Sequence, residues 1–416
     1  MWFYQIIIKT YWIIASVYAL FNKKAKQFIS GRKNVFQHLK DHIPSGKHII
    51  WIHCASLGEF EQGRPVIDQL KKASANNFIL LTFFSPSGYQ VRKNYPNADC
   101  VTYLPIDTKK NARHFINAVK PAKAMFVKYE FWLNYIDELY HNNIPIYLIS
   151  GVFRKKQHFF QWYGKLFKNC LEKFSHFYLQ DETSATLLSQ LGISNHTVTG
   201  DTRFDRVNEI SKNVQSYSNL DDFSKEAIVI LAGSSWPAGE KLLARYYSKY
   251  KEKNLKLIIA PHQVDDAHIR EIKSLFPEEP ALWTKVKEQP TIHSTILIID
   301  TIGILSSLYQ YADIAYIGGG FGKGIHNTLE AATFSIPVIF GPNHKKFREA
   351  VALKKRKAAF AVNSYNDMEN ILNQLIRDNS FRQETGENAG QYVQSNAGAT
   401  KIILNSITKK SRDINS

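Results

Sequence analysis

The chain has 416 residues, of which 44% are hydrophobic and 21% are charged. This composition excludes a disordered or collagen-like protein, and the length favours two or three globular domains. The 53 Lys and Arg residues outnumber the 36 Asp and Glu residues, so the net charge of +17 predicts an anionic partner such as nucleic acid, anionic lipid or a phosphorylated substrate.

Cysteine usage and short motifs narrow the class of protein further. The chain has three cysteines, Cys54, Cys100 and Cys170, and no CxxC spacing. We therefore expect neither a disulfide framework nor a structural zinc site, and this usage is typical of a reducing compartment. No zinc-finger spacing or aromatic RNA-recognition signature is present in the sequence, so nucleic acid is not the expected partner.

The first 21 residues form an apolar, aromatic segment with one charged side chain, Lys9. Its length matches one bilayer crossing, and it lacks the basic leader and small-residue cleavage site of a signal peptide. A cationic cluster follows, made up of Lys23, Lys24, Lys26, Arg32 and Lys33. We predict a membrane-anchoring helix at residues 1–22 with the catalytic body on the cytoplasmic side. Whether this helix spans the membrane or lies in its interface stays open.

Short β-branched runs alternate with polar, helix-length stretches along the rest of the chain, which predicts βα units around parallel sheets. The runs are residues 48–53, 78–84, 124–127 and 144–149 in the first half and residues 227–232, 256–260, 296–299, 314–317 and 337–340 in the second half. A polar interval at residues 208–224 separates the halves. We predict an α/β fold with two Rossmann-like domains, residues 23–210 and 211–416, that face a central cleft.

Two acidic residues follow predicted strands of the first domain. Glu59 lies in CASLGEFEQGRP after the first run, and Glu130 lies in VKYEFWLN after the third. Glu59 could cap a helix or face the cleft, and Glu130 could accept a structural hydrogen bond or line a site. In the turn GDTRFDRV, Arg203 could lie on the surface or approach a developing phosphate charge.

The second domain contains two loops rich in small residues. One predicted strand ends at Ser234 and Ser235, where backbone N–H groups can approach phosphate oxygens. The stretch YIGGGFGKGIHNTLEAA places Gly320 and Lys323 before a helix predicted to begin near His326–Asn327. A glycine-rich loop, a cation and a helix start together predict an anion site.

The glycine-rich stretch is neither a P-loop nor a convincing dinucleotide fingerprint. Lys323 is followed by Gly324 rather than by Ser or Thr, and no acidic ribose ligand follows in a clear βαβ unit. Glu330 could reach a ribose diol or lie on the helix surface. The motif therefore predicts an anion site without specifying the nucleotide.

Taken together and in chain order, six stretches resemble the Kdo (3-deoxy-D-manno-oct-2-ulosonic acid) transferases, a family of GT-B type. These stretches are SLGEFEQGRP, KYEFW, GDTRFD, GSSWPAGE, GGGFGKGIHNTLEAA and PVIFGPN, and the resemblance extends over residues 31 to 348. The combination is far more specific than any single motif. The aromatic N-terminal segment followed by GRKNVF also fits the family.

The resemblance implies an inverting, metal-independent transfer of Kdo from CMP-Kdo to a lipid A precursor, lipid IVA, at the cytoplasmic face of the inner membrane, without a cofactor. It implies that Glu59 is the general base and that Glu130 and Arg203 stabilise the transition state. An alcohol needs such a base because it is a poor nucleophile until its proton is removed. The implied substrate- and CMP-binding positions are Ser234, Ser235, Pro261, His262, Ile302, Gly303, Ile304, Gly320, Lys323, Asn327, Thr328, Leu329 and Glu330.

Four positions depart from the family pattern. Arg203 stands where Lys is usual, His262 begins a pair that is often Arg-His, Ile304 replaces a common Glu, and Thr328 replaces a common Pro. The change at His262 leaves one cation fewer for CMP. Two alternatives remain open: another GT-B transferase with a different donor such as a UDP-sugar, and a non-catalytic basic protein of the membrane surface in which Glu59 caps a helix.

Overall fold

The computed structural model describes residues 2–162, 164–250 and 254–413. Met1 of the predicted anchor and residues 414–416 of the predicted second domain lie outside the described residues. The chain divides into two compact units, one ending at Arg206 and resuming at Ala397, the other running from Val207 to Asn396. Each unit is an α/β domain built on one parallel seven-stranded sheet.

The sheet of the first unit has the strand order β3-β2-β1-β4-β5-β6-β7. Its strands are β1 (His48–Cys54), β2 (Asn77–Phe83), β3 (Cys100–Tyr103), β4 (Lys123–Val127), β5 (Ile146–Gly151), β6 (His176–Leu179) and β7 (His196–Val198). The helices are α1 (Trp2–Tyr18), α2 (Lys23–Ser30), α3 (Val35–His42), α4 (Leu57–Ala73), α5 (Pro86–Arg92), α6 (Lys109–Val119), α7 (Leu133–His141), α8 (Lys165–Leu171), α9 (Glu182–Gln190) and α10 (Arg203–Lys212). The central strands are buried along nearly their whole length, as parallel strands covered by helices on both faces must be.

The sheet of the second unit has the order β10-β11-β9-β8-β12-β13-β14. Its strands are β8 (Ile228–Ser235), β9 (Leu255–Pro261), β10 (Ala281–Leu282), β11 (Ile296–Ile298), β12 (Ile314–Ile317), β13 (Val338–Phe340) and β14 (Ala359–Ala361). The helices are α11 (Ser218–Ser224), α12 (Pro237–Tyr250), α13 (Asp266–Ser274), α14 (Trp283–Val286), α15 (Leu305–Leu308), α16 (Leu329–Ala332), α17 (Arg348–Lys355), α18 (Tyr365–Arg377) and α19 (Asn379–Asn396).

All nine apolar runs of the sequence are strands, within three residues at either end. The remaining strands are β3, β6, β7, β10 and β14, which have two to four residues each and do not stand out as runs. In both sheets the order reverses beside the first strand, because β1 lies between β2 and β4 and β8 lies between β9 and β12. Ligands of parallel sheets bind at the carboxyl ends of the strands beside such a reversal.

The last helix, α20 (Ala399–Asp413), belongs to the first unit, whereas the sequence-based boundary assigned residues 211–416 to the second domain. Ile403 and Ile407 are buried in the core of the first unit. The Asp205 carboxylate accepts hydrogen bonds from the backbone N–H groups of Gly398 and Thr400, the latter at 2.7 Å. The chain therefore leaves the first unit within α10 and returns to it at its end.

The N-terminal segment contains α1, which has 17 residues and ends at Tyr18. Polar contacts fix its start to the first unit, because the Tyr4 hydroxyl donates to the Asp107 carboxylate at 2.6 Å and the Gln5 amide donates to the Asn134 side chain at 2.5 Å. Among the described residues, no helix combines the length and the apolar character that a membrane crossing requires.

An apolar surface nevertheless covers much of this segment. Its exposed side chains are Trp2, Ile6, Ile7, Tyr11, Ile13, Ile14, Val17, Tyr18, Leu20 and Phe21. The predicted cationic cluster is only partly at the surface, because Arg32 is buried and donates hydrogen bonds to the backbone carbonyl groups of Phe28, Phe84 and Leu104.

The bonds of Asp205 predict how the C-terminal helix is held. We expect Asp205→Ala to leave two backbone N–H groups without their carboxylate and to cost about 1–3 kcal/mol of local stability. Hydrogen exchange of α20 measured by mass spectrometry should then accelerate, whereas Asp222→Ala at an exposed site should leave it unchanged. Equal protection of α20 in both variants would contradict the assigned role.

Candidate functional site

The two predicted carboxylates of the first unit lie at the carboxyl ends of adjacent strands, β1 and β4. Glu59 is in the first turn of α4, is 7% exposed, and accepts a hydrogen bond from the Ser56 hydroxyl. Glu130 lies in the segment that follows β4, where Lys128 has a φ of 73°. A left-handed conformation is strained for a lysine, and such strain is often found at functional sites.

The environment of Glu130 raises its proton affinity. Burial raises the pKa of Glu130 to about 7, and the negative charge of Glu59 adds to this rise, against a hydrogen bond from Trp132. The pKa of Tyr129 is also raised, first by burial and then by the charges of Glu59 and Glu130. Near neutral pH the Glu130 carboxyl group is therefore partly protonated and can donate a hydrogen bond.

A buried histidine holds the segment that carries Glu130. The Trp132 indole N–H donates to His53 Nε2 at 3.0 Å, and His53 Nδ1 lies 2.9 Å from the Thr82 hydroxyl. Burial lowers the pKa of His53 to about 3, and the charge of Arg32 contributes to the lowering. The neutral ring can therefore accept from Trp132 and donate to Thr82 at physiological pH.

Arg203, the third predicted catalytic residue, is ion-paired within the GDTR turn. Its guanidinium lies 2.8 and 2.9 Å from one oxygen of Asp201, which is nearly buried. The Gln62 amide also contacts the Asp201 carboxylate, and the Thr202 hydroxyl donates to the Gln62 carbonyl at 2.5 Å. Since Gln62 lies one turn after Glu59 on α4, these bonds connect the Arg203 turn to the helix of the predicted base.

The two serine and glycine loops of the second unit meet at the reversal of its sheet, after β8 and β12. Ser234 has a φ of 49°, and the Gly318 N–H donates to the Gly233 carbonyl at 3.0 Å. A side chain at Gly318 would lie 2.0 Å from the Ser234 carbonyl oxygen, so the close approach requires glycine.

Two buried ionisable side chains, Glu240 and His268, hold the end of β8 at Ser235 in place. The Ser235 hydroxyl donates to Glu240 at 2.7 Å, and the same carboxylate lies 2.9 Å from His268 Nε2. Both partners are buried, Glu240 at 1% and His268 at 8% exposure. The Ser235 backbone carbonyl accepts from the His262 N–H at 3.0 Å, which places the predicted Pro261 and His262 positions beside the serine loop.

An aromatic cavity of about 500 Å³ adjoins these loops. The Trp236 ring stacks on His262 at 4.9 Å, and its indole N–H donates to His326 Nε2 at 3.0 Å. Burial and the neighbouring His262 lower the pKa of His326, which favours a neutral ring that accepts this bond. Tyr316, Phe321 and Lys323 also line the cavity, so an apolar surface lies next to a cation.

The glycine-rich loop folds tightly before a helix that begins later than predicted. Gly319 and Gly324 have positive φ values, and Gly320 packs so closely on Gly341 that a side chain would lie 2.5 Å from its backbone nitrogen. The prediction of a helix start near His326–Asn327 is wrong, because α16 begins at Leu329 and has four residues. The Asn327 carboxamide caps this turn by accepting from the Leu329 N–H at 3.1 Å.

The remaining positions that were predicted to bind CMP fall into three groups. Asn327 and Glu330 form a hydrogen-bonded pair at 3.0 Å. Thr328 and Leu329 are fully buried, so their side chains cannot touch a ligand in this conformation. In the turn 302–304, the Ile302 side chain is 82% exposed, Gly303 has a φ of 99° and Ile304 is half-buried.

Sequence analysis did not identify four residues that support the candidate site. Asp201 and Glu240 contact the predicted residues Arg203 and Ser235. His53 contacts Trp132, and His268 contacts Glu240. Asp201 and Glu240 stand inside quoted motifs, so the motifs could have indicated them. His53 and His268 carry no comparable local signal.

Comparison with known structures first defines the fold class of the protein. The UDP-GlcNAc 2-epimerase of Neisseria meningitidis, solved with bound UDP-GlcNAc, has a TM-score of 0.60 at 16% identity, covering 87% of this chain and 99% of that chain. At this identity the likeness shows the fold alone. Two parallel-sheet α/β domains with such neighbours are a GT-B-like architecture.

Sequence relatives then indicate the family. Residues 29–206 match the family model described as 3-deoxy-D-manno-octulosonic-acid transferase (kdotransferase). The 3-deoxy-D-manno-octulosonic acid transferase of Rickettsia bellii is 28% identical over 418 residues, covering 97% of both chains. A bifunctional glycosyltransferase/methyltransferase of Fusobacterium nucleatum is 29% identical over 430 residues, covering 97% of this chain and 64% of its own length. These matches support placing the chain in the Kdo transferase family, among the glycosyltransferase enzymes, as the motifs predicted.

The low pKa of His53 predicts a pH-dependent loss of stability. A histidine that stays neutral when folded but binds a proton when unfolded destabilises the fold as pH falls below the unfolded value of about 6.5. Between pH 6.5 and 5, we expect His53→Gln to remove a slope of up to about 1.4 kcal/mol per pH unit from the free energy of unfolding. Urea unfolding at several pH values measures this slope, and identical slopes in both proteins would contradict a neutral buried His53.

Proposed function

We propose that this protein transfers Kdo from CMP-Kdo to a lipid A precursor, lipid IVA, with inversion at the anomeric carbon and without a metal ion. The observation that carries the proposal is the pair of carboxylates after β1 and β4, because burial and Glu59 raise the pKa of Glu130 to about 7. Such a pair supplies a base and an acid at the same pH. The transfer activity of the relatives supports the choice of donor.

In the proposed step, a sugar hydroxyl of the acceptor attacks the anomeric carbon of Kdo while its proton passes to Glu59. The bond between that carbon and the CMP phosphate oxygen breaks, and its electron pair leaves with CMP. Attack on the face opposite the leaving group inverts the configuration. A positioned carboxylate contributes about 10²–10⁴-fold to such a step.

Charge that develops on the donor needs stabilisation. Protonated Glu130 can donate a hydrogen bond, and Arg203 offers a guanidinium whose orientation is fixed by Asp201. In the second unit, Ser234 and Ser235 end β8 and Lys323 lies in the loop after β12, where phosphate oxygens can be bound by N–H groups and a cation. These donors are the reason why we propose that no metal ion is needed.

We propose that the enzyme works on the cytoplasmic face of the inner membrane and binds the membrane through the exposed apolar surface of residues 2–21. Ile13 and Ile14 are each 63% exposed on α1, which is itself tied to the first unit through Tyr4 and Asp107. Apolar side chains of this kind insert into the interface between headgroups and acyl chains, and the net charge of +17 adds attraction to anionic lipid.

Replacement of the proposed base tests the reaction step. We expect Glu59→Gln to lower kcat by at least about 10²-fold, because the acceptor hydroxyl would lose its proton acceptor. Glu61→Gln, two residues further along α4, is the matched control and should keep its activity. CMP release and lipid mass are the readouts, and a Glu59→Gln enzyme with normal turnover would refute the assigned base.

The raised pKa of Glu130 predicts the alkaline limb of the pH profile. Because the pKa is about 7, the carboxyl group holds its proton below that pH and loses it above. We expect the wild-type rate to fall above pH 7, and the fall to be absent in Glu130→Gln, whose amide remains a neutral donor. A Glu130→Gln enzyme that keeps the same alkaline decline would show that another group is responsible.

The apolar surface of α1 can be tested with vesicles. Replacing Ile13 and Ile14 together with Gln should weaken binding to anionic vesicles at least about tenfold, since buried apolar area drives interfacial binding. Val91→Gln, at a residue that is 57% exposed on α5, serves as the control. Equal vesicle sedimentation of all three proteins would contradict a docking role for α1.

A further inference from the structure

A basic pocket of about 900 Å³ lies in the second unit and adjoins the aromatic cavity, because Gly322 and Lys323 line both. It is formed where β13 and β14 end, at the carboxyl edge of the sheet. Its titratable lining residues are Lys323, His344, Lys345, Lys346 and Lys354. Its volume falls within the range of about 300–1,000 Å³ that is usual for small-molecule sites.

The charge of this pocket is unbalanced. Its four lysines are exposed, and of the described residues that line the pocket none carries a carboxylate. None of the ion pairs between described residues involves Lys345, Lys346 or Lys354. Four ammonium groups around one concave surface repel one another unless an anion enters, because like charges raise the energy of the empty site.

A buried polar atom gives a second, independent indication of a ligand. His344 is 8% exposed and lines the pocket, with its ring 5.1 Å from Phe340. Its Nδ1 is buried and has no hydrogen-bond partner among the described residues. A buried polar atom without a partner costs about 1–3 kcal/mol, and a bound ligand or water can satisfy it.

Three lysines of the pocket, Lys345, Lys346 and Lys354, lie outside the segments proposed to bind the CMP phosphate. CMP-Kdo carries one phosphate group and one carboxylate group, and the segments of Ser234, Ser235 and Lys323 already offer N–H groups and a cation to the phosphate. We propose that the basic pocket is a second anion site, which binds a phosphomonoester group other than the CMP phosphate. Lysine is a compact point charge that suits a phosphate dianion, whereas planar carboxylate recognition favours arginine.

The group can be carried by a soluble metabolite or by a lipid headgroup, and the two sources share the same recognition chemistry. Glycerol 3-phosphate, followed by calorimetry, is the soluble probe. Phosphatidylcholine vesicles with or without phosphatidic acid, followed by sedimentation, are the lipid probe. CMP, followed by calorimetry, reports on the donor site in each protein.

The test variant replaces Lys345, Lys346 and Lys354 with Gln, and the matched control replaces three exposed lysines of the same unit, Lys225, Lys285 and Lys287. We expect the test variant to bind at least one phosphomonoester probe at least about tenfold more weakly, with unchanged CMP affinity and an unaffected control. His344→Phe keeps an aromatic ring but removes both ring nitrogens, including Nδ1, and it should weaken binding of the same probe. If the test variant loses affinity for glycerol 3-phosphate, the phosphomonoester group belongs to a soluble metabolite. If it loses affinity only for vesicles with phosphatidic acid, the group belongs to a lipid headgroup.

Three results would overturn the second anion site. The wild-type protein could bind neither phosphomonoester probe, or the test and control variants could lose affinity equally, which would indicate nonspecific charge attraction. Alternatively, CMP affinity could fall together with phosphomonoester affinity, which would make the pocket part of the donor site. Binding of a phosphomonoester to this pocket does not depend on which sugar is transferred. A wild-type protein that fails to bind CMP would count against the proposed function, and the glycerol 3-phosphate result could still be interpreted.

Discussion

The reversal of strand order beside the first strand of each parallel sheet determines where the chemistry of this protein lies. Strands β1 and β4 are neighbours although β2 and β3 separate them in the chain, so Glu59 and Glu130 reach the same edge of the sheet. The same relation between β8 and β12 brings the serine loop against the glycine-rich loop. Parallel strands joined by helices allow few other arrangements.

Within that frame, burial favours the protonated form of Glu130. Glu130 is held by a segment that Trp132 fixes to a neutral His53, and its charged form is disfavoured by burial and by Glu59. The neutral His53 ring holds the backbone of this segment in place through its hydrogen bond with Trp132.

The sequence predicts the features that depend on local pattern. β-branched runs predict nine of the strands, and residues that follow those runs predict Glu59 and Glu130 at the sheet edge. Contacts between distant residues were beyond such reasoning: Tyr4 and Asp107 are 103 positions apart, and Glu240 and His268 are 28 apart. Helix α20 was assigned to the wrong half because an amphipathic pattern shows that a helix is buried on one face but not what covers it.

Mass spectrometry of the lipid product is the measurement that tests this account most directly. Purified protein in detergent, with a chelator present, would be incubated with CMP-Kdo and a tetraacylated lipid A precursor while CMP release is followed. The account predicts lipid masses that increase by whole Kdo residues, matched by the CMP released. An unchanged lipid mass, with folded protein and intact CMP-Kdo, would contradict it, and transfer from a UDP-sugar under the same conditions would identify a different donor on the same fold.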